Sequence, residues 1–120
     1  MAQLHVTIEV AGPDGARWDQ VEVLVDIGST YTKVPTDLLV SLGVIPTSRR
    51  RAVIANGETI ERQLGIALIH LNGEQLPNVV TFGRPGETPL LGSVTLENFS
   101  LGVDPINKRL IPIDALELTT

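Results

Sequence analysis

Apolar and polar residues alternate along Leu4-His5-Val6-Thr7-Ile8-Glu9-Val10, the period of a strand with one buried face. Gly12-Pro13-Asp14-Gly15 is dense in turn formers, and Val21 to Val25 resumes an apolar run. The two segments predict a hairpin that ends at Asp26. Tyr31 to Val34 then reads as extended. Pro35-Thr36-Asp37 opens a helical turn through Leu38, Leu39 and Leu42, and Gly43 is placed to end it in a left-handed conformation. Val53 to Ile60 brackets Asn56-Gly57 with apolar flanks, the strongest short-range hairpin signal. Gly65 to Leu71, an Asn72-Gly73 turn and Val79 to Phe82 predict a further strand pair. Pro89 to Gly92 is a short buried run, and Ser93 is placed to cap a brief helix over Val94 to Phe99. Gly102 to Asn107 predicts a turn into a last strand, Arg109 to Ile113, while Asp114 to Thr120 suits either an edge strand or a loose tail.

Short strands at regular spacing with two single-turn helices predict an all-β fold, a compact closed β barrel with one or two short helices. With no linker or low-complexity stretch, the 120 residues read as one domain, 1–120. Hydrophobic content of 42 % against 3 % aromatic means that branched aliphatics fill the core, which suits strands. A net charge of -5 argues against nucleic acid, whose phosphates need clustered cations. The one basic cluster, Arg49-Arg50-Arg51, lies between two predicted elements and reads as a solvated loop face, with contact to an acidic substrate or partner as the alternative. The absence of cysteine excludes disulfides, thiolate catalysis and the usual structural zinc sites. The start Met-Ala-Gln-Leu-His-Val lacks the basic-then-apolar order of a signal peptide, and no apolar run reaches membrane-spanning length. A soluble, cytoplasmic protein is therefore the expectation.

Candidate chemistry concentrates at Asp26-Ile27-Gly28-Ser29-Thr30, directly after the apolar strand. A carboxylate ending such a strand is costly unless hydrogen bonds compensate it. Gly28 lets the backbone turn and approach closely, and Ser29 and Thr30 bring hydroxyl donors. Elsewhere the signals are weak. His5 and His70 read as ordinary strand positions without ligand-spaced company, Asp104-Pro105 as a turn, and Trp18 as packing at the sheet edge. Gly83-Arg84-Pro85-Gly86 lacks the strand-loop-helix context of a phosphate cradle, and no His is placed to activate Ser29.

Four segments in order carry a resemblance. Asp26, Gly28 and Ser29 match an Asp-Thr-Gly-Ser turn, and Asn56-Gly57 stands at a hairpin tip. Leu90-Leu91-Gly92 is an apolar-apolar-Gly segment, and Leu101-Gly102-Val103-Asp104-Pro105 follows it. From Val21 to Ile113 the chain resembles the retropepsin-like aspartic proteases of the bacterial type, whose chain is half a pepsin. The resemblance implies a pepsin-like single lobe with Asp26 as catalytic acid/base. It also implies a mobile flap at Val53 to Ile60 and substrate contacts from Gly28, Ser29, Thr30, Ala55, Asn56 and Gly57. It implies a homodimer as well, because one chain holds one such Asp and the reaction needs two facing carboxylates sharing a proton. The substrate implied is an extended peptide or protein; no cofactor, metal, nucleic acid or membrane is implied.

Ile27 departs from that pattern. In the family a Thr hydroxyl at this place bonds across the dimer axis, and Ile has none. The expected consequence is a looser pair, at about 1 kcal/mol per lost bond. A second reading follows from the same residue: a protease-like domain that no longer cleaves and serves as a peptide-binding or dimerisation module.

Overall fold

The computed structural model describes residues 3–119. β1 (His5–Ala11) and β2 (Trp18–Val25) form the expected antiparallel hairpin, in a register that sets Ile8 opposite Val21 and Val6 opposite Val23. Their inward residues Ile8, Val10 and Val23 are fully buried, which is why the period-2 pattern was readable. β3 (Thr32–Pro35) leads directly into α1 (Thr36–Ser41), and Gly43 follows with φ 81°, the left-handed stop its sequence position suggests.

β4 (Ser48–Val53) and β5 (Thr59–Leu71) pair across the Asn56-Gly57 turn, and β5 pairs in turn with β6 (Glu74–Gly83) across Asn72-Gly73. β7 (Leu90–Leu91) inserts between β2, parallel to it, and β3, antiparallel to it. α2 (Ser93–Asn98) follows, and β8 (Leu101–Asp104) and β9 (Arg109–Pro112) make a separate two-stranded sheet.

The main sheet runs β1-β2-β7-β3-β6-β5-β4, and further β1–β5 pairing returns it to its start. Six strands thus form a hydrogen-bonded ring, with β4 appended outside it. Val34, Ile69, Val80 and Leu91 fill the interior, and Leu39 of α1 with Leu96 of α2 cover its sides. Each such side chain contributes about 1.5–3 kcal/mol through burial. No helix among the described residues is long and apolar enough to cross a membrane.

Several local expectations are corrected. Arg49-Arg50-Arg51 is exposed but lies in β4, a strand rather than a loop. That strand is solvated on both faces, so it carries no alternation to read. β5 extends 13 residues because Thr59 to Leu64 continues into the apolar stretch at Gly65. Residues Leu101 to Asp104 are a strand, and the turn starts at Pro105. Ser93 is the first helical residue of α2 and not its cap; Gly92 holds the cap position without a side-chain hydrogen bond. Residues 113–119 adopt no strand, and Thr120 lies outside the described residues.

Candidate active site

β2 delivers Asp26 to the edge of the ring, and β7 fixes it there. The Asp26 N–H donates to the Leu91 carbonyl at 3.0 Å, and the Leu24 N–H to the Pro89 carbonyl at 3.0 Å. The Ser29 N–H closes the turn on the Asp26 carbonyl at 3.1 Å. At the start of α2, the Ser93 and Val94 N–H groups donate to the carbonyls of Ser29 and Thr30 at 2.8 and 3.0 Å. Free N–H groups at a helix start need acceptors. Here the loop that carries Asp26 supplies them, which accounts for the missing side-chain cap.

Below this lies a buried hydroxyl pair. Thr32 Oγ1 donates to Thr95 Oγ1 at 2.6 Å and accepts the Gly92 N–H at 3.1 Å. A Cβ on Gly92 would overlap the Tyr31 carbonyl group and lie 2.9 Å from the Thr30 oxygen. Only glycine lets the apolar-apolar-Gly segment approach the loop this closely.

Both carboxylate oxygens of the half-buried Asp26 accept hydrogen bonds: Oδ1 from the Gly28 N–H at 3.0 Å, Oδ2 from the Ser29 hydroxyl at 2.9 Å. Gly28 lies in the turn without a left-handed backbone. Its lack of a side chain keeps Oδ1 clear, since a Cβ there would stand 3.3 Å from that oxygen.

A cleft of about 1010 Å³ opens over the carboxylate. Gly28, Ser29 and Thr30 line one side, and Ala55 and Asn56 of the β4–β5 hairpin line the other. Gly57, with φ 87°, holds the hairpin turn but does not line the cleft. The turn is tied by Asn56 Oδ1, which accepts the Glu58 N–H at 2.9 Å. Ile27 is 71 % exposed.

Sequence reasoning missed a charged wall of the same cleft. Arg62 on β5, 7 % exposed, makes a bidentate pair with Glu87 at 2.7 and 2.9 Å. Arg84 adds contacts at 3.3 Å, and Lys33 Nζ stands 3.9 Å from Glu87. Hydrogen bonds from Arg62 hold the Glu87 carboxyl down at about 2. Burial pushes Lys33 below its ordinary value, against the pull of Glu87. Arg62 lies 25 residues from Glu87 and Lys33 farther still, so no spacing pattern announced them; only Arg84, three residues away, is near in sequence.

On the outer surface, strand register sets His70 opposite Glu9, with Nδ1 3.2 Å from the carboxylate, and Trp18 meets the imidazole edge-on. His70 therefore has an acidic neighbour that the sequence spacing did not suggest. No group of His, Cys, Asp and Glu among the described residues is arranged to hold a metal ion.

The strand ring, the inserted β7 and the turn that carries Asp26 constitute a retropepsin-like fold. Solved structures share it. EIAV protease complexed with the inhibitor HBY-793 aligns with a TM-score of 0.57 at 14 % identity, covering 82 % of this chain and 88 % of that one. The retroviral protease-like domain of Ddi1 from Leishmania major gives 0.61 at 15 %, covering 97 % and 91 %. A retropepsin-like aspartic protease from Rickettsia conorii gives 0.52 at 18 %, covering 87 % and 90 %. At these identities the likeness is one of fold. No family model matches the sequence, and no curated protein matches it.

Proposed function

We propose that this chain is an aspartic endopeptidase that works as a homodimer, each copy a single pepsin-like domain whose strand ring is a closed barrel. The observation that carries the proposal is the Asp26 carboxylate, hydrogen-bonded at both oxygens and exposed to a cleft roofed by a hairpin. The fold shared with proteases from EIAV and Rickettsia conorii supports it.

The chain offers one Asp-x-Gly turn, so the second carboxylate comes from Asp26 of another copy, related by a two-fold axis. Two facing carboxylates share one proton. The ionised member takes a proton from water, which attacks the peptide carbonyl. The protonated member polarises that carbonyl and then protonates the leaving amine. Gly28 and Ser29 hold the carboxylate by their hydrogen bonds, and the β4–β5 hairpin acts as the flap, with Ala55, Asn56 and Gly57 over an extended peptide.

Ile27 favours a second reading, a peptide-binding or dimerisation module without cleavage. Its exposed side chain brings no hydroxyl to a dimer axis. Digestion of a peptide library between pH 3 and 7 separates the two. Wild type should cleave best on the acidic side, where the pair holds one proton. Asp26→Asn should keep the fold, since the amide can still accept from Gly28 and donate to Ser29, and should cleave nothing. Cleavage that survives Asp26→Asn would sink the assignment.

A further inference from the structure

The cleft carries a charge imbalance out of keeping with the acidic chain around it. Lys33, Arg50, Arg51 and Arg62 line it against only two carboxylates, Asp26 and Glu87. Glu87 is already shared among Arg62, Arg84 and Lys33, and Lys33 is the most loosely held of the three at 3.9 Å. One carboxylate cannot neutralise three cations.

The strand register sharpens the point. Arg50 on β4 and Arg62 on β5 are direct cross-strand partners. Like charges in that relation repel. Arg50 finds no carboxylate among the described residues; its guanidinium donates only to the Ser48 hydroxyl and the Arg49 carbonyl, both at 2.8 Å. Glu61, the register partner of Arg51, is instead engaged by Arg49 at 3.2 Å. The hairpin thus brings two uncompensated guanidinium groups to the cleft, beside a buried cation cluster.

We propose that this cationic wall selects peptides carrying an acidic side chain, whose carboxylate is received by Arg50 with Lys33 and Arg62 behind it. The proposal rests on the cleft being a peptide site, as the protease reading has it, and it names the substrate class of that site. A carboxylate meets guanidinium in bidentate geometry, whereas the matching amide brings no charge. A partly desolvated pair of this kind gives about a tenfold preference.

The test uses Asp26→Asn protein, which keeps the cleft, and fluorescein-labelled decapeptides in which a single Glu replaces Gln at each position in turn. Fluorescence anisotropy at low salt should show at least one position where Glu binds about tenfold tighter than Gln. That preference should shrink as salt is raised. Arg50→Glu, made in the same background, should transfer the preference at that position to Lys. Arg50 is exposed, so folding of this variant can be checked by circular dichroism before binding is read. Absence of any position with more than a threefold preference, or a Glu preference unchanged in Arg50→Glu, overturns the proposal. Cleavage by wild type is scored separately. If wild type cleaves none of these peptides while the Glu preference holds, the catalytic reading fails and the acid-selective cleft stands.

Discussion

Replacing Glu87 with Gln removes the one carboxylate that Arg62, Arg84 and Lys33 share. Its consequence can be estimated by two routes. A carboxyl held at about 2 against an ordinary 4.5 corresponds to about 3 kcal/mol of folded-state stability, or about 2 kcal/mol after discounting for solvent at the open side of the cleft. Independently, removing one partner from a buried ion pair costs about 3–5 kcal/mol, and Gln recovers part of that by accepting one hydrogen bond. Both routes converge on about 2–4 kcal/mol, a fall in melting temperature of about 8–16 °C for a chain of this size.

The pH dependence gives the sharper check. The folded-state value of Glu87 lies below its unfolded value. Its contribution is therefore fully present above about pH 4.5 and is lost as pH falls toward 2. Thermal melts of wild type and Glu87→Gln from pH 7 down to pH 2.5 should show a gap that is constant to about pH 4.5 and narrows below it. The double variant Arg62→Met/Glu87→Leu should regain part of the loss, because the buried Arg62 charge is removed together with its partner, while Lys33 and Arg84 still lose theirs. A gap under about 1 kcal/mol at pH 7, or one unchanged at pH 2.5, refutes the reasoning.

Two further substitutions probe the support and the axis. Gly92→Ala would force the β7 end away from the Tyr31 carbonyl, so a loss of about 3 kcal/mol or failure to fold is expected, read by urea denaturation and by amide spectra of the Asp26 loop. Ile27→Thr should restore a crossing hydrogen bond from each copy and tighten a dimer by about one to two powers of ten, measured by sedimentation. An unchanged dissociation constant would show that Ile27 packs at the axis by another arrangement.

Much of the ring was legible because each of its long strands has one buried face. The two Asn-Gly turns were legible because both close hairpins, with glycines at φ 87° and 81°. β4 escaped notice for the opposite reason: it buries almost nothing and so has no pattern. The strand at Leu101 to Asp104 was hidden by Gly102 and by the Asp-Pro pair, which place the turn three residues too early. The Asp26 turn could be read because its parts are consecutive. Arg62, Glu87 and Lys33 could not, because the cleft wall is assembled from β3, β5 and the segment before β7, and only the ring brings these together.

The position of β7 orders events during folding. β2 and β3 are not hydrogen-bonded to each other; Leu90 and Leu91 stand between them. The Asp26 loop also leans on Ser93 and Val94, more than 60 residues further along the chain. Closing so long a loop is slow compared with forming a hairpin. A nascent chain that has emerged only as far as Thr88 can form the β1–β2, β4–β5 and β5–β6 hairpins, yet it leaves a gap in the ring beside Asp26. The carboxylate therefore reaches its final geometry only once β7 and the start of α2 have docked, which makes the assembly of this site a late step in folding.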